Sequence, residues 1–212
     1  MAGVKICGLS TSETVAAALD GGAAFLGFNF FPPSPRYLTP DDAARLAPPA
    51  RGKAAIVAVT VDPDNDLVDR LVATLNPDFI QLHGKETPAR AREIATRSGV
   101  GLIKALPTSE PADLDAARAW EPVVDHLMFD ARPPADAAMP GGLGSAFDWT
   151  ILAGRRFARP YLLAGGLDPW NVSEAMRLSG APLVDVSSGV ERGPGIKDPG
   201  LISAFLEAVR RA

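Results

Sequence analysis

Short runs of apolar, β-branched or aromatic residues alternate along the chain with Ala-, Leu- and charge-rich segments whose apolar positions recur at helical spacing. The runs VKIC (4–7), FLGFNF (25–30), AIVAVTV (55–61), FIQLH (79–83), GLIKAL (101–106), HLMFD (126–130), YLLAG (161–165) and LVDVSS (183–188) predict strands. Segments near 12–20, 40–47, 65–75, 86–98, 111–119, 148–153, 170–179 and 198–211 predict helices. Strand–helix alternation implies parallel pairing through right-handed crossovers. Eight such units predict an α/β fold, a single (β/α)8 TIM barrel over residues 1–212. An open doubly wound sheet is the alternative, but it rarely needs eight strands at this length.

Local signals sharpen the boundaries. STSE at 10–13 predicts a capping box with Ser10 as N-cap and Glu13 reaching back. Asp168 followed by Pro169 predicts a cap and first turn for a helix beginning near Trp170. Most of the 20 prolines fall at turns and helix starts, where a fixed φ is useful. These boundaries matter because the active site of such a barrel lies at the C-terminal ends of its strands.

Composition narrows the partners. The net charge is −4, and the 21 Lys and Arg residues are scattered, so no basic stripe is available for a nucleic-acid backbone. No run approaches the roughly 20 apolar residues that span a bilayer. The N-terminus lacks the pattern of a signal peptide, and a cytoplasmic protein with no membrane partner is expected. One cysteine excludes an intrachain disulfide, and two histidines give weak support to metal catalysis. No metal is expected on this composition, and monomer and homodimer both stay open.

Several residues at predicted strand ends could carry chemistry. Cys7 closes the first strand; it is a candidate for proton transfer if its thiol pKa is lowered, and otherwise a small buried hydrophobe. Lys5 shares its strand face. Asp130 ends the sixth strand and is a candidate general acid or base, or else a turn cap. Three steps around a closed ring of eight separate these strands, so their ends face across the mouth. LLAGGLDPWNV (162–172) and VDVSSGVERGPGIKD (184–198) place Gly165–Gly166 and Ser187–Ser188–Gly189 after strands seven and eight. Such loops let backbone N–H groups approach an anion, and a phosphorylated small-molecule substrate is favoured over two ordinary glycine turns.

Arg36, in the proline-stiffened loop FFPPSPRYL, could grip a carboxylate bidentately or be a solvated surface residue. Gln81 and His83 share a face of strand four, point toward the interior or mouth and are candidate substrate contacts, although His83 reads equally as a hydrogen-bonded structural residue. His126, at the opposite end of strand six, reads as structural. Asp185 has the parity of Ser187 on strand eight, beside strand one, and a buried Lys5–Asp185 pair would offset two costly charges.

With these motifs assembled, the chain resembles the phosphoribosylanthranilate isomerases of tryptophan biosynthesis. VKICGL, GFNFFPPSPRYL, IQLHG, IKAL, LMFDA, GGLGSAFDW, LLAGGLDPWNV and DVSSGVERGPGIKD carry the likeness nearly end to end. The resemblance implies a cofactor-free (β/α)8 barrel that catalyses an Amadori rearrangement. It makes Cys7 the general base, Asp130 the general acid and Arg36 the contact for the substrate carboxylate. It makes the Gly165–Gly166 and Ser188–Gly189 backbones the phosphate cradle. Thr60, Asp62 and Asn29 depart from the family's usual phenylalanine, asparagine and aliphatic residue, and are expected to reshape the pocket. A ribulose-phosphate epimerase would want more metal-ligating His and Asp. An indole-glycerol-phosphate synthase would want catalytic lysine and glutamate, for which Lys5 and Lys104 are the available lysines. A histidine-pathway isomerase uses two aspartates, against which Cys7 argues. A non-catalytic phosphosugar-binding barrel would have no need of both Cys7 and Asp130.

Overall fold

A computed structural model describes residues 3–133, 141, 142, 144 and 146–212. Met1, Ala2, Pro134 of the DARPP run, and Leu143 and Ser145 of GGLGSAFDW lie outside the described residues. Eight parallel strands close into a barrel: β1 (Gly3–Cys7), β2 (Phe25–Asn29), β3 (Ala55–Thr60), β4 (Phe79–Leu82), β5 (Gly101–Thr108), β6 (His126–Ala131), β7 (Tyr161–Leu163) and β8 (Leu183–Val186). The seam between β8 and β1 sets Lys5 opposite Asp185. The open-sheet alternative is thereby excluded.

The helices are α1 (Ser12–Asp20), α2 (Pro40–Leu46), α3 (Asn65–Thr74), α4 (Pro88–Ser98), α5 (Ala117–Trp120), α6 (Val172–Ser179) and α7 (Pro199–Arg211). Two predicted helices are reduced. Residues 111–119 form a 3-10 turn (Pro111–Ala116) running into the short α5. Residues 148–153 form only a 3-10 turn, Trp149–Leu152, with the β-branched Thr150 and Ile151 in it and Gly154 ending it at φ 68°. Beyond β8 the chain folds an unexpected hairpin, β9 (Glu191–Gly193) with β10 (Ile196–Lys197), turning at Pro194–Gly195.

Two caps differ from expectation. Thr11, not Ser10, caps α1: its Oγ1 accepts from the N–H of Thr14, and Glu13 lies within the first turn. Asp168 accepts from the N–H groups of Trp170 (2.8 Å) and Asn171 (2.9 Å), a turn that delays α6 until Val172. Both are cases where a short polar side chain satisfies a loop N–H before helical hydrogen bonding begins.

Strand parity divides the core in two. Ile6, Leu26, Phe28, Ile56, Ile80, Leu127 and Phe129 face outward and pack under the helices. Cys7, Val57, Val59, Ile103, Ala105, Met128, Leu162 and Ala164 fill the barrel interior, with Phe25, Phe79 and Leu183 packed beneath them. Gly27 belongs to this inner face for a spatial reason. A Cβ there would lie 3.2 Å from the Cys7 Sγ and 3.3 Å from the Lys5 Cε, so the missing side chain makes room for both.

Candidate active site

The C-terminal ends of the strands open into a cavity lined by Cys7, Asn29, Arg36, His83, Asp130, Gly165, Gly166, Asp185, Ser187 and Ser188. Nine of these ten sit in a strand or within three residues of a strand's end; Arg36 arrives from further along the longer β2–α2 loop. Gln81 and Gly189 are not brought to the wall. Gln81 is fully buried one inward position below His83, on the barrel axis side of β4. Gly189 is turned to the neighbouring loop, where a Cβ would lie 1.9 Å from the Leu167 carbonyl oxygen. Its lack of a side chain lets the seventh and eighth loops meet.

Cys7 stands among ionised neighbours. Lys5 Nζ donates to Asp185 Oδ1 at 2.7 Å in a buried pair, as the shared parity predicts. Burial opposes the Lys5 charge, but Asp185 and Cys7 outweigh it and hold the ammonium above its ordinary range. For Cys7 burial dominates and pushes the thiol up, with Asp185 adding to the push; Lys5 and Lys197 pull the other way without prevailing. The thiol therefore lacks the lowered pKa that a thiolate base requires. Ser187 Oγ donates to the Cys7 carbonyl at 3.2 Å and ties β8 to the end of β1.

Asp130 is held on both oxygens. Its Oδ1 accepts the Ala131 N–H at 2.9 Å, and its Oδ2 lies 3.1 Å from His83 Nε2. His83 Nδ1 in turn meets Gln81 Nε2 at 2.9 Å. The loop that follows His83 is fixed from below by a buried pair. Lys104 Nζ reaches Glu86 Oε2 at 2.6 Å and the Gly84 carbonyl at 2.8 Å, while Glu86 also accepts the N–H of Asp62. Lys104 thus faces outward, 5.0 Å from the Trp120 ring centre, and gives the cavity no catalytic lysine of the synthase type.

Two residues absent from the sequence reading complete the other rim. Glu191 accepts from Arg36 Nε at 2.7 Å and from a terminal guanidinium nitrogen at 2.8 Å, and Lys197 closes on the same carboxylate. Arg36 and Lys197 outweigh burial and hold Glu191 below the usual carboxylate range. Lys197 also donates to the Ser187 carbonyl at 3.1 Å. The signal lay in GVERGPGIKD, whose Pro194–Gly195 turn folds Glu191 and Lys197 onto facing strands. Gly165, at φ 83°, sits where a Cβ would be 2.6 Å from the Ala131 N, so only glycine lets the seventh loop approach β6. Among the described residues no group of three or more His, Cys, Asp or Glu is arranged to hold a metal ion, and no helix is long and apolar enough to cross a membrane.

The sequence profile described as N-(5'phosphoribosyl)anthranilate (PRA) isomerase matches residues 4–208. The chain belongs to this isomerase family. It is 67% identical over 211 residues to the N-(5'-phosphoribosyl)anthranilate isomerase of Caulobacter vibrioides, covering 99% of this chain and 96% of that one. It superposes on the phosphoribosyl anthranilate isomerase of Thermotoga maritima with a TM-score of 0.89 at 32% identity, each chain covered in full. A further solved isomerase, 31% identical over the full length of both chains with a TM-score of 0.86, is in complex with reduced 1-(o-carboxyphenylamino)-1-deoxyribulose 5-phosphate.

Within this isomerase the three departures from the family pattern separate. Asn29 lines the cavity, and its Oδ1 accepts the Phe31 N–H at 2.8 Å, bracing the loop that carries Arg36. Thr60 is fully buried and donates outward-side to the Gln81 carbonyl at 3.0 Å, away from the wall. Asp62, at φ 46°, accepts the Lys85 N–H at 2.7 Å and joins two loops. The walls beside them are Val59 and Val61. Only Asn29 meets the space a substrate would fill.

Proposed function

We propose that this isomerase carries out the Amadori rearrangement of N-(5-phosphoribosyl)anthranilate to 1-(2-carboxyphenylamino)-1-deoxyribulose 5-phosphate in tryptophan biosynthesis. The residues 1–212 would act as one catalytic domain, with Cys7 as general base and Asp130 as general acid. The observation that carries this reading is the arrangement of one cavity: thiol and carboxyl on its walls, glycine-rich backbone from two loops, and a guanidinium at the rim. The product analogue held by a relative supports the same substrate class.

Asp130 gives its proton to the furanose ring oxygen as the C1–O bond breaks, and the anilino nitrogen lone pair completes a Schiff base. Cys7 then takes the C2 proton, and the enolamine tautomerises to the ketone. Gly165, Gly166, Ser187 and Ser188 hold the phosphate through backbone N–H groups, and Asp185 keeps Lys5 under Cys7. Arg36 takes the anthranilate carboxylate on the guanidinium edge turned away from Glu191, where one N–H otherwise meets the Gly142 carbonyl at 3.2 Å. Each positioned proton transfer contributes about 10²–10⁴ in rate.

Because burial raises the thiol pKa, the base is a minority thiolate stabilised by Lys5 and Lys197. The rate of C2 proton removal is therefore expected to climb with pH beyond neutrality, since each step toward the raised thiol pKa increases the thiolate fraction. Mixing the purified protein with phosphoribosylanthranilate and following loss of anthranilate fluorescence tests the assignment. Absence of turnover would overturn it, and a flat alkaline limb would remove Cys7 from the role of base.

A further inference from the structure

Gln81 is a fully buried polar residue that the cavity does not use. Its Nε2 lies 2.9 Å from His83 Nδ1 and 3.5 Å from the Met128 sulfur, while its Oε1 is buried with no hydrogen-bond partner among the described residues. An amide nitrogen only donates, so His83 Nδ1 must accept, and the neutral ring carries its proton on Nε2. The reverse amide orientation would set Oε1 against the sulfur lone pairs and leave both amide N–H groups with a poorer environment. An orphaned buried carbonyl is costly, and an apolar side chain of the same length would avoid it. What the amide adds over that side chain is one N–H aimed at His83.

We propose that Gln81 is a positioning residue that fixes His83 as the Nε2–H tautomer, so that the ring donates to Asp130. The inference rests on the reading of Asp130 as the general acid. When the Asp130 proton passes to the ring oxygen, the electron pair of its O–H bond stays on the carboxylate. That charge is received by the Ala131 N–H on Oδ1 and by the His83 Nε2–H on Oδ2. His83 keeps its proton throughout. In the opposite tautomer an Nε2 lone pair would face the new carboxylate, and the transfer would be opposed by repulsion between them. His83 and Gln81, which sequence reading placed among substrate contacts, thus act through the acid.

The chain has two histidines, so nitrogen-15 correlation spectra of histidine-labelled protein resolve each ring, with His126→Phe assigning the second. The wild-type spectrum at neutral pH is expected to show His83 as Nε2–H. Gln81→Met, which keeps length and removes the donor, is expected to populate Nδ1–H. Gln81→Glu, which replaces the donor by an acceptor, is expected to drive the ring to Nδ1–H or to imidazolium. Both variants should lose roughly 10- to 100-fold in kcat, the cost seen when the partner that orients a metal-ligating histidine is removed, with KM within about twofold. A wild-type His83 that is Nδ1–H or imidazolium would overturn the proposal, as would an unchanged tautomer or an unchanged kcat in the variants. The spectra need no substrate. Loss of turnover in wild type would therefore sink the isomerase reading alone, while the tautomer is decided independently; if Gln81→Met fails to fold, wild type and Gln81→Glu still decide it.

Discussion

The floor and the mouth of this barrel are built from the same inward positions of the same strands, yet share almost no chemistry. At the floor His126 packs edge to face with Phe25 and Phe79, which are tilted against each other, with ring centres 5.2–5.9 Å apart. Two and four residues further along, those strands present Gly27 and Asn29, Gln81 and His83, and Met128 and Asp130. Strand β8 grades in the same way from Leu183 through Asp185 to Ser187. Apolar burial holds the floor together. Around the mouth, buried charges survive because each has a partner, in the Lys5–Asp185 pair and the Arg36–Glu191–Lys197 cluster. One end supplies cohesion and the other holds reactive groups in place.

The sharpest way to break this division is to remove a proton-transfer group. Cys7→Ala and Asp130→Asn are each expected to lower kcat by about 10²–10⁴, while urea unfolding shifts by no more than about 1 kcal/mol. Near-full activity in Cys7→Ala would mean that the base lies elsewhere, whatever the reaction.

The next largest effect falls on stability at the mouth. Lys5→Met leaves Asp185 buried without its cation and should cost about 3–5 kcal/mol in urea unfolding. Adding Asp185→Leu should recover most of that loss, since an apolar pair needs no compensation. If the double variant stays as unstable as the single one, the pair is not what keeps these charges tolerable. Arg36→Met acts on binding instead. Losing a charged, bidentate contact worth about 1.5–3 kcal/mol should raise KM roughly 10- to 150-fold, with kcat nearly kept. Glu191 and Lys197 still pair in that variant, so its unfolding should change less than that of Lys5→Met.

The barrel was legible because period-two runs and turn residues repeat eight times, and because parity alone puts Lys5 beside Asp185. Cys7 and Asp130 were legible as strand-end residues for the same reason. Less legible was anything set by contacts between distant loops. Glu191 and Lys197 meet Arg36 only because a hairpin after β8 folds back over the β2–α2 loop; the Pro194–Gly195 turn signals the hairpin, but no local pattern encodes which loop it meets. The helix predicted at 148–153 shrank to one 3-10 turn because its periodicity was too short to outweigh β-branched residues and a glycine stop. The thiol's environment was also invisible: a lysine on the same face suggests a lowered pKa, but burial depends on the whole ring of strands and wins.

The smallest expected effect returns to the floor and asks whether it is as inert as its packing implies. Burial lowers the His126 pKa from 6.5, with Asp125 only partly opposing, and its Nδ1 is buried without a partner among the described residues. The unfolded ring then takes up a proton near pH 6.5 that the folded ring resists, so stability falls as pH drops from about 7 through 5. His126→Phe keeps an aromatic ring between Phe25 and Phe79 and removes this proton uptake. Its urea midpoint should therefore change less between pH 7 and pH 5 than that of wild type, by a fraction of a kcal/mol because the ring is only half-buried. Its kcat should stay unchanged. An equal acid loss in both proteins would move the pH sensitivity to the paired carboxylates of the mouth, with Glu191 the first candidate because its pKa is held down. A fall in kcat would show that the floor is coupled to the reacting end, and the division between the two halves of each strand would not hold.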